Sequence, residues 1–151
     1  MAFLAAIPES VRRSEVVSVG YDLASAFDEP LYVVHVIPDD LSGVDYDYTE
    51  LAIDRVSDHD RAELRDLAAE YAGHVTDRSL SEYDDSLVSS IGRVGSPVQG
   101  VIEAAAEVDS RYIVIGGRRR SPAGKAIFGS TTQTLLLRAD RPVLTVLDGR
   151  E

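Results

Sequence analysis

The chain has 151 residues, 26 of them acidic against 15 basic, for a net charge of −11. That length is one ordinary domain, so a single core spanning residues 1–151 is expected. The acidity argues against nucleic acid or an anionic membrane as partner, since both call for a basic surface, and the lack of any cysteine excludes disulfides, zinc–thiolate sites and thiol nucleophiles.

Short apolar runs alternate with longer segments of helical period, the pattern of βαβ units on a parallel sheet with helices on both faces. Residues 3–7 read as a first strand, because the N-terminus lacks the basic start and long apolar stretch of a secretory signal. A first helix is predicted over 13–27, where Val16, Val17, Gly20, Leu23, Ala24 and Phe27 share one stripe. The second strand, 31–37, is apolar enough to lie between two helical layers. Residues 38–60 hold Asp39, Asp40, Asp45, Asp47, Glu50, Asp54, Asp58 and Asp60 against Arg55 alone. This stretch is read as a solvated acidic loop rather than a cation or partner site.

A second helix is predicted over 49–72, through Leu51, Val56, Leu64, Leu67, Ala68 and Tyr71, and a third strand over 87–91. Ser96 and Gln99 have capping-box spacing and Pro97 falls where its missing N–H costs nothing, so a third helix starts there. A buried strand over 112–115, a helix over 130–138 and a last strand over 143–147 complete the pattern, with five strands in all. No apolar run approaches the roughly 20 residues of a membrane span, and a soluble cytoplasmic protein is expected. Only Lys125 of the 15 basic residues is a lysine. Acid-rich, lysine-poor surfaces stay solvated in high salt and fit a halophilic source, although an ordinary acidic protein could carry the same balance.

The fourth strand runs into GGRRRSPAGKAIFGST, residues 116–131. Glycines let backbone N–H groups approach an anion, and Gly129-Ser130-Thr131 stands where a helix starts, with unpaired N–H groups and a positive dipole end. That outlines a phosphate cradle; a surface loop with an ordinary Gly-Ser cap is the other reading. It is not a Walker loop, because Lys125 is followed by Ala126 and Arg119 stands five positions before Gly124, and it contains no GxGxxG.

With Gly116, Gly129 and Ser130 at the positions of its glycine signature, the chain resembles the universal stress protein family over nearly its whole length. The ending Arg138-Ala139-Asp140-Arg141-Pro142-Val143-Leu144-Thr145-Val146, the third-helix entry Val94-Gly95-Ser96-Pro97 and the strand Val34-His35-Val36 carry the same resemblance. Together with the acidity, it points to a halophilic archaeon. The resemblance implies an adenine nucleotide α-hydrolase-like α/β fold: a five-stranded parallel open sheet of order 3-2-1-4-5. It further implies an ATP- or AMP-binding stress-response regulator, Mg²⁺ entering with the nucleotide, an unidentified protein partner, and a homodimer through the strand at 143–147. Some members of the family bind no nucleotide and act through protein interaction alone. Carried over position by position, the backbone of Val36 meets adenine, Gly116 lies by the ribose, and Gly129, Ser130 and Thr131 meet the phosphates.

Two departures stand out. Arg119 replaces the family's second loop glycine, where its side chain either closes the cradle or donates to a phosphate. Glu9 replaces the usual Asp of the first-strand turn, keeping the carboxylate on a longer arm.

The remaining candidates have plainer readings. Arg118, Arg119 and Arg120 are either phosphate partners or surface arginines paired with acids, and Lys125 reads as solvated. His35, on an apolar strand, reads as a hydrogen-bonded core histidine. His59 and His74 read as surface positions, and no first-row metal site is expected. Nothing resembles a GxSxG nucleophile elbow, so no catalytic residue is assigned and the chain reads as a binding protein rather than an enzyme, slow ATP turnover being the one hydrolase activity left open.

Overall fold

The structure, a computed structural model, describes residues 1–9, 11–38, 60–120, 125–127 and 129–148, with the backbone alone at 118–120, 125–127 and 148. In chain order these form β1 (Ala2–Ala6), α1 (Glu15–Phe27), β2 (Leu31–Ile37), α2 (Arg61–Ser79), β3 (Val88–Val94), α3 (Pro97–Glu107), β4 (Ser110–Arg120), β5 (Lys125–Ile127), α4 (Ser130–Arg138) and β6 (Val143–Asp148), with one 3₁₀ turn at Asp85–Leu87.

The five long strands are all parallel and lie in the order β3-β2-β1-β4-β6, the expected 3-2-1-4-5. Alternation along them sorts the core into two layers. Phe3, Ala5, Leu31, Val33 and Val114 pack with α1 and α2, whereas Leu4, Val34, Val36, Ile113 and Ile115 pack with α3 and α4. With both faces covered, the central strands read as unbroken apolar runs.

Strands β2 and β6 and helix α4 fall where the sequence puts them, to within a residue. Helix α1 starts later than expected, because Ser14 caps it by accepting from Val16 N–H. At α3, Ser96 accepts from Gln99 N–H, but the Gln99 amide reaches forward to Glu103 instead of back, so the capping box is half formed. Helix α2 begins after Asp60, which caps Glu63 N–H, and runs to Ser79. Its expected end at Ala72 is overridden by Val75 and Thr76, which are buried beyond Gly73 and His74. The acidic segment 39–59, with Leu51, Val56 and His59, lies outside the described residues.

The largest departure is at β4. It runs through Gly116 and Gly117, expected to end it, because both pair with β6, at Val146 and Leu147. It continues to Arg120 because β5, absent from the sequence reading, pairs with it antiparallel, Arg119 opposite Ala126. Arg118 pairs with Ile127 on one edge and Asp148 on the other, so β5 occupies the edge that β1 has vacated. Half of the supposed loop is thus a hairpin built beyond the end of β1.

Two glycines set how closely the helices approach. A Cβ at Gly92 would lie 1.9 Å from the Arg65 carbonyl oxygen, so α2 rests directly on the β3 backbone. A Cβ at Gly100 would lie 2.9 Å from Val36 Cγ2, where α3 crosses β2.

Candidate functional site

Strands β1 and β4 are neighbours, yet α1 leaves β1 toward one face and α4 follows β4 on the other. Diverging connections open a crevice at the C-terminal strand ends, where open α/β sheets bind their ligands. A cavity of about 610 Å³ lies there, within the range of small-molecule sites. Its walls come from the β1–α1 loop, the end of β2, the first turn of α3, Gly116 and Gly117 of β4, and the start of α4.

Six of the seven residues assigned from sequence line this one cavity: Glu9, Val36, Gly116, Gly129, Ser130 and Thr131. The seventh, Arg119, is placed by its backbone in the β4–β5 hairpin; its side chain lies outside the described residues, as do those of Arg118, Arg120 and Lys125 and the whole of residues 121–124.

Each lining group has a local reason. The Val34 carbonyl accepts from Ile7 N–H on the β1 side, and the Ile37 carbonyl accepts from Gly95 N–H on the β3 side. Backbone groups alternate between neighbours along a strand, so those of Val36 face the β1 side, past the last rung of the β1–β2 ladder at Ala6 and Val34. The peptide of Val36 therefore points into the crevice, while its side chain packs beneath α3.

At the start of α4, Gly129 is the N-cap and supplies no side-chain cap bond. The first-turn N–H groups thus keep their donors and the positive end of the dipole for whatever occupies the cavity. A Cβ on Gly129 would meet nothing within 4 Å, and its φ of −66° needs no glycine. Glycine is a favourable N-cap in itself, and here it leaves the space over the first turn of α4 open. Gly116 differs, since a Cβ would press to 3.3 Å on Val16 Cγ2 of α1.

Among the lining residues that the sequence did not mark as site residues, two stand out. Thr132 donates through Oγ1 to the Gly116 carbonyl at 3.2 Å, tying the start of α4 to β4. Arg13, just before the capped start of α1, is the one cationic side chain among the described residues lining the cavity. Neither has a motif, because a threonine in a helix's first turn and an arginine before an N-cap are ordinary by themselves.

His35 is 1% exposed and its Nδ1 lies 2.9 Å from the Ile7 carbonyl oxygen. A carbonyl only accepts, so Nδ1 carries the proton. Burial pushes this histidine down to about 4, despite the carbonyl's opposing pull, so the ring is neutral at ordinary pH. The core reading holds. His74 is half-exposed beside Glu70, on the outer face of α2.

A doubly wound α/β chain with a cavity at the switch point of its sheet has the architecture of the open-sheet folds that bind ligands at their C-terminal strand ends. The universal stress protein family model matches residues 2–146, and the chain belongs to that family. A universal stress protein from Archaeoglobus fulgidus is similar at 28% identity and a TM-score of 0.61, covering 96% of this chain and 97% of that one. The complex of a universal stress protein from the same organism with dAMP is similar in fold at 23% identity, TM-score 0.57, covering 96% of each chain. A universal stress protein in complex with cAMP is similar at 19% and 0.53, covering 97% of each. A universal stress protein of Mycolicibacterium smegmatis is 50% identical over 38 residues, which span 25% of this chain and 29% of that protein. Among the described residues no helix is long and apolar enough to cross a membrane.

Proposed function

We propose that this protein binds an adenine nucleotide, AMP or ATP, in the switch-point cavity and acts as a stress-response regulator, without catalytic turnover. The observation that carries this reading is the start of α4, where Gly129 leaves the first turn without a side-chain cap bond, a Cβ there would meet nothing within 4 Å, and the turn faces a cavity of mononucleotide size. In this reading the Val36 peptide reads adenine, Gly116 and Glu9 flank the ribose, and the N–H groups of Ser130 and Thr131 hold phosphate. The dAMP and cAMP complexes of similar proteins support the ligand class. Mg²⁺ would enter on the phosphates of ATP. The positive end of α4 lets a chain of net charge −11 accept an anion there.

The backbone of Arg119 lies opposite Ala126 in the β4–β5 hairpin, past the end of β1, and of its two roles the proposal takes the phosphate partner. Thermal shift with AMP and with ATP–Mg²⁺ in high salt tests both points. Wild-type protein is stabilised, and Arg119→Gly less so. No shift in wild type contradicts nucleotide binding, and a larger shift in Arg119→Gly contradicts the role given to the arginine.

The homodimer through residues 143–147 belongs to the same proposal. Strand β6 pairs with β4 on one edge, and the exposure of Leu144 on it and Leu137 on α4, the latter 87% exposed, supports a covering partner copy. Sedimentation equilibrium checks this: a dimer is expected, and a monomer for Leu144→Asp.

A further inference from the structure

We infer that His35 and Tyr71 are positioning residues of the nucleotide site: from beneath, they hold the β1–α1 loop that carries Glu9 to the cavity and keep the Val36 peptide open to a ligand. The inference rests on the nucleotide reading above and assigns roles to two residues to which that reading gives none.

The β1–β2 ladder ends with Ile7 N–H donating to the Val34 carbonyl at 3.0 Å. In a continuing parallel ladder the next rung would run from Val36 N–H to the Ile7 carbonyl. That carbonyl is met instead by His35 Nδ1–H at 2.9 Å. The imidazole satisfies a buried acceptor where the strand leaves the sheet, so the Val36 N–H need not turn back to it.

Tyr71, almost fully buried on α2, continues the support along the loop. Its hydroxyl accepts from Val11 N–H at 3.0 Å and shares its proton between the carbonyls of Pro8, at 2.9 Å, and Val11, at 3.2 Å. The two rings pack on each other with centroids 4.5 Å apart, so each fixes the other's orientation. Backbone groups on both sides of Glu9, from Ile7 to Val11, are thereby fixed by two side chains from different elements. An apolar pair of the same size would pack as well and hold none of them, which is why a histidine interrupts an otherwise apolar β2.

The test compares wild type with Tyr71→Phe, which keeps the ring stack, His35→Leu, which loses the donor, and His35→Asn, whose side-chain amide restores a donor near the Nδ1 position. Amide hydrogen exchange at Val11 reads the loop, AMP titration reads the site, and thermal melting reports folding. Tyr71→Phe is expected to speed exchange at Val11 at least tenfold and to weaken AMP about tenfold. His35→Leu is expected to weaken AMP similarly, and His35→Asn to restore wild-type affinity. Wild type that binds AMP, with Tyr71→Phe equally tight, overturns the inference alone, as does a His35→Asn variant no better than His35→Leu. Wild type that binds no AMP overturns the nucleotide reading and the inference with it. If one substitution prevents folding, the variants at the other position decide.

Discussion

Thr132 Oγ1 donates to the Gly116 carbonyl oxygen at 3.2 Å, so the first turn of α4 and strand β4, two walls of the cavity, are tied by one side-chain bond. Thr132→Val keeps the shape and removes the donor. Urea unfolding is expected to show a loss of about 1 kcal/mol, typical of one part-buried hydrogen bond. AMP affinity should fall severalfold by calorimetry, because the start of α4 is then free to shift against β4.

Gly92 and Gly129 should respond very unequally to the same small change. A Cβ at position 92 would lie 1.9 Å from the Arg65 carbonyl oxygen and 2.6 Å from Ala69 N, both backbone atoms. Gly92→Ala must push α2 off the sheet, and a loss of about 3 kcal/mol or more is expected in denaturant unfolding. Gly129→Ala meets nothing within 4 Å. It should cost under about 1 kcal/mol as a poorer N-cap, while weakening nucleotide binding.

His35 gives stability a pH dependence of known sign. Burial lowers its pKa from 6.5 to about 4, so between those values the unfolded chain binds a proton that the folded chain refuses. Its contribution is present above pH 6.5, falls as pH drops, and is lost below pH 4, about 3 kcal/mol in all. Glu29, held below its ordinary value by the Arg111 hydrogen bond, adds a loss of the same sign starting lower, below about 4.5. Urea midpoints between pH 7.5 and 4 should fall in wild type and fall less in His35→Asn.

The fold was largely legible because its central strands and amphipathic helices follow simple periods. Residues 31–37 and 130–138 match strand and helix residue for residue. What escaped was decided by partners distant in sequence. Gly116 and Gly117 look like a strand terminator until β6 pairs with them, and β5 exists only because β1 ends early enough to leave an edge of β4 open. At the site, Gly129-Ser130-Thr131 was legible because helix starts have their own chemistry. Thr132, Tyr71 and Arg13 were not, since their roles depend on contacts spanning 16 residues at Gly116, 60 at Val11, and the closing of one cavity.

The acidic composition carries its own expectation. With net charge −11 and one lysine, self-repulsion opposes folding at low ionic strength and is screened as salt rises. Melting temperature should climb steadily from 0.1 M to multimolar KCl (~30-fold more screening ions). A flat or falling curve would remove the reason to place the protein in a high-salt cell.

Calorimetric titration of AMP into wild-type and Gly129→Val protein in high salt tests the central claim most directly. Saturable one-site binding by wild type, lost or weakened at least tenfold in a folded Gly129→Val, is the expected result. No binding by wild type, or equal binding by both, would contradict the assignment of the α4 turn as the phosphate site.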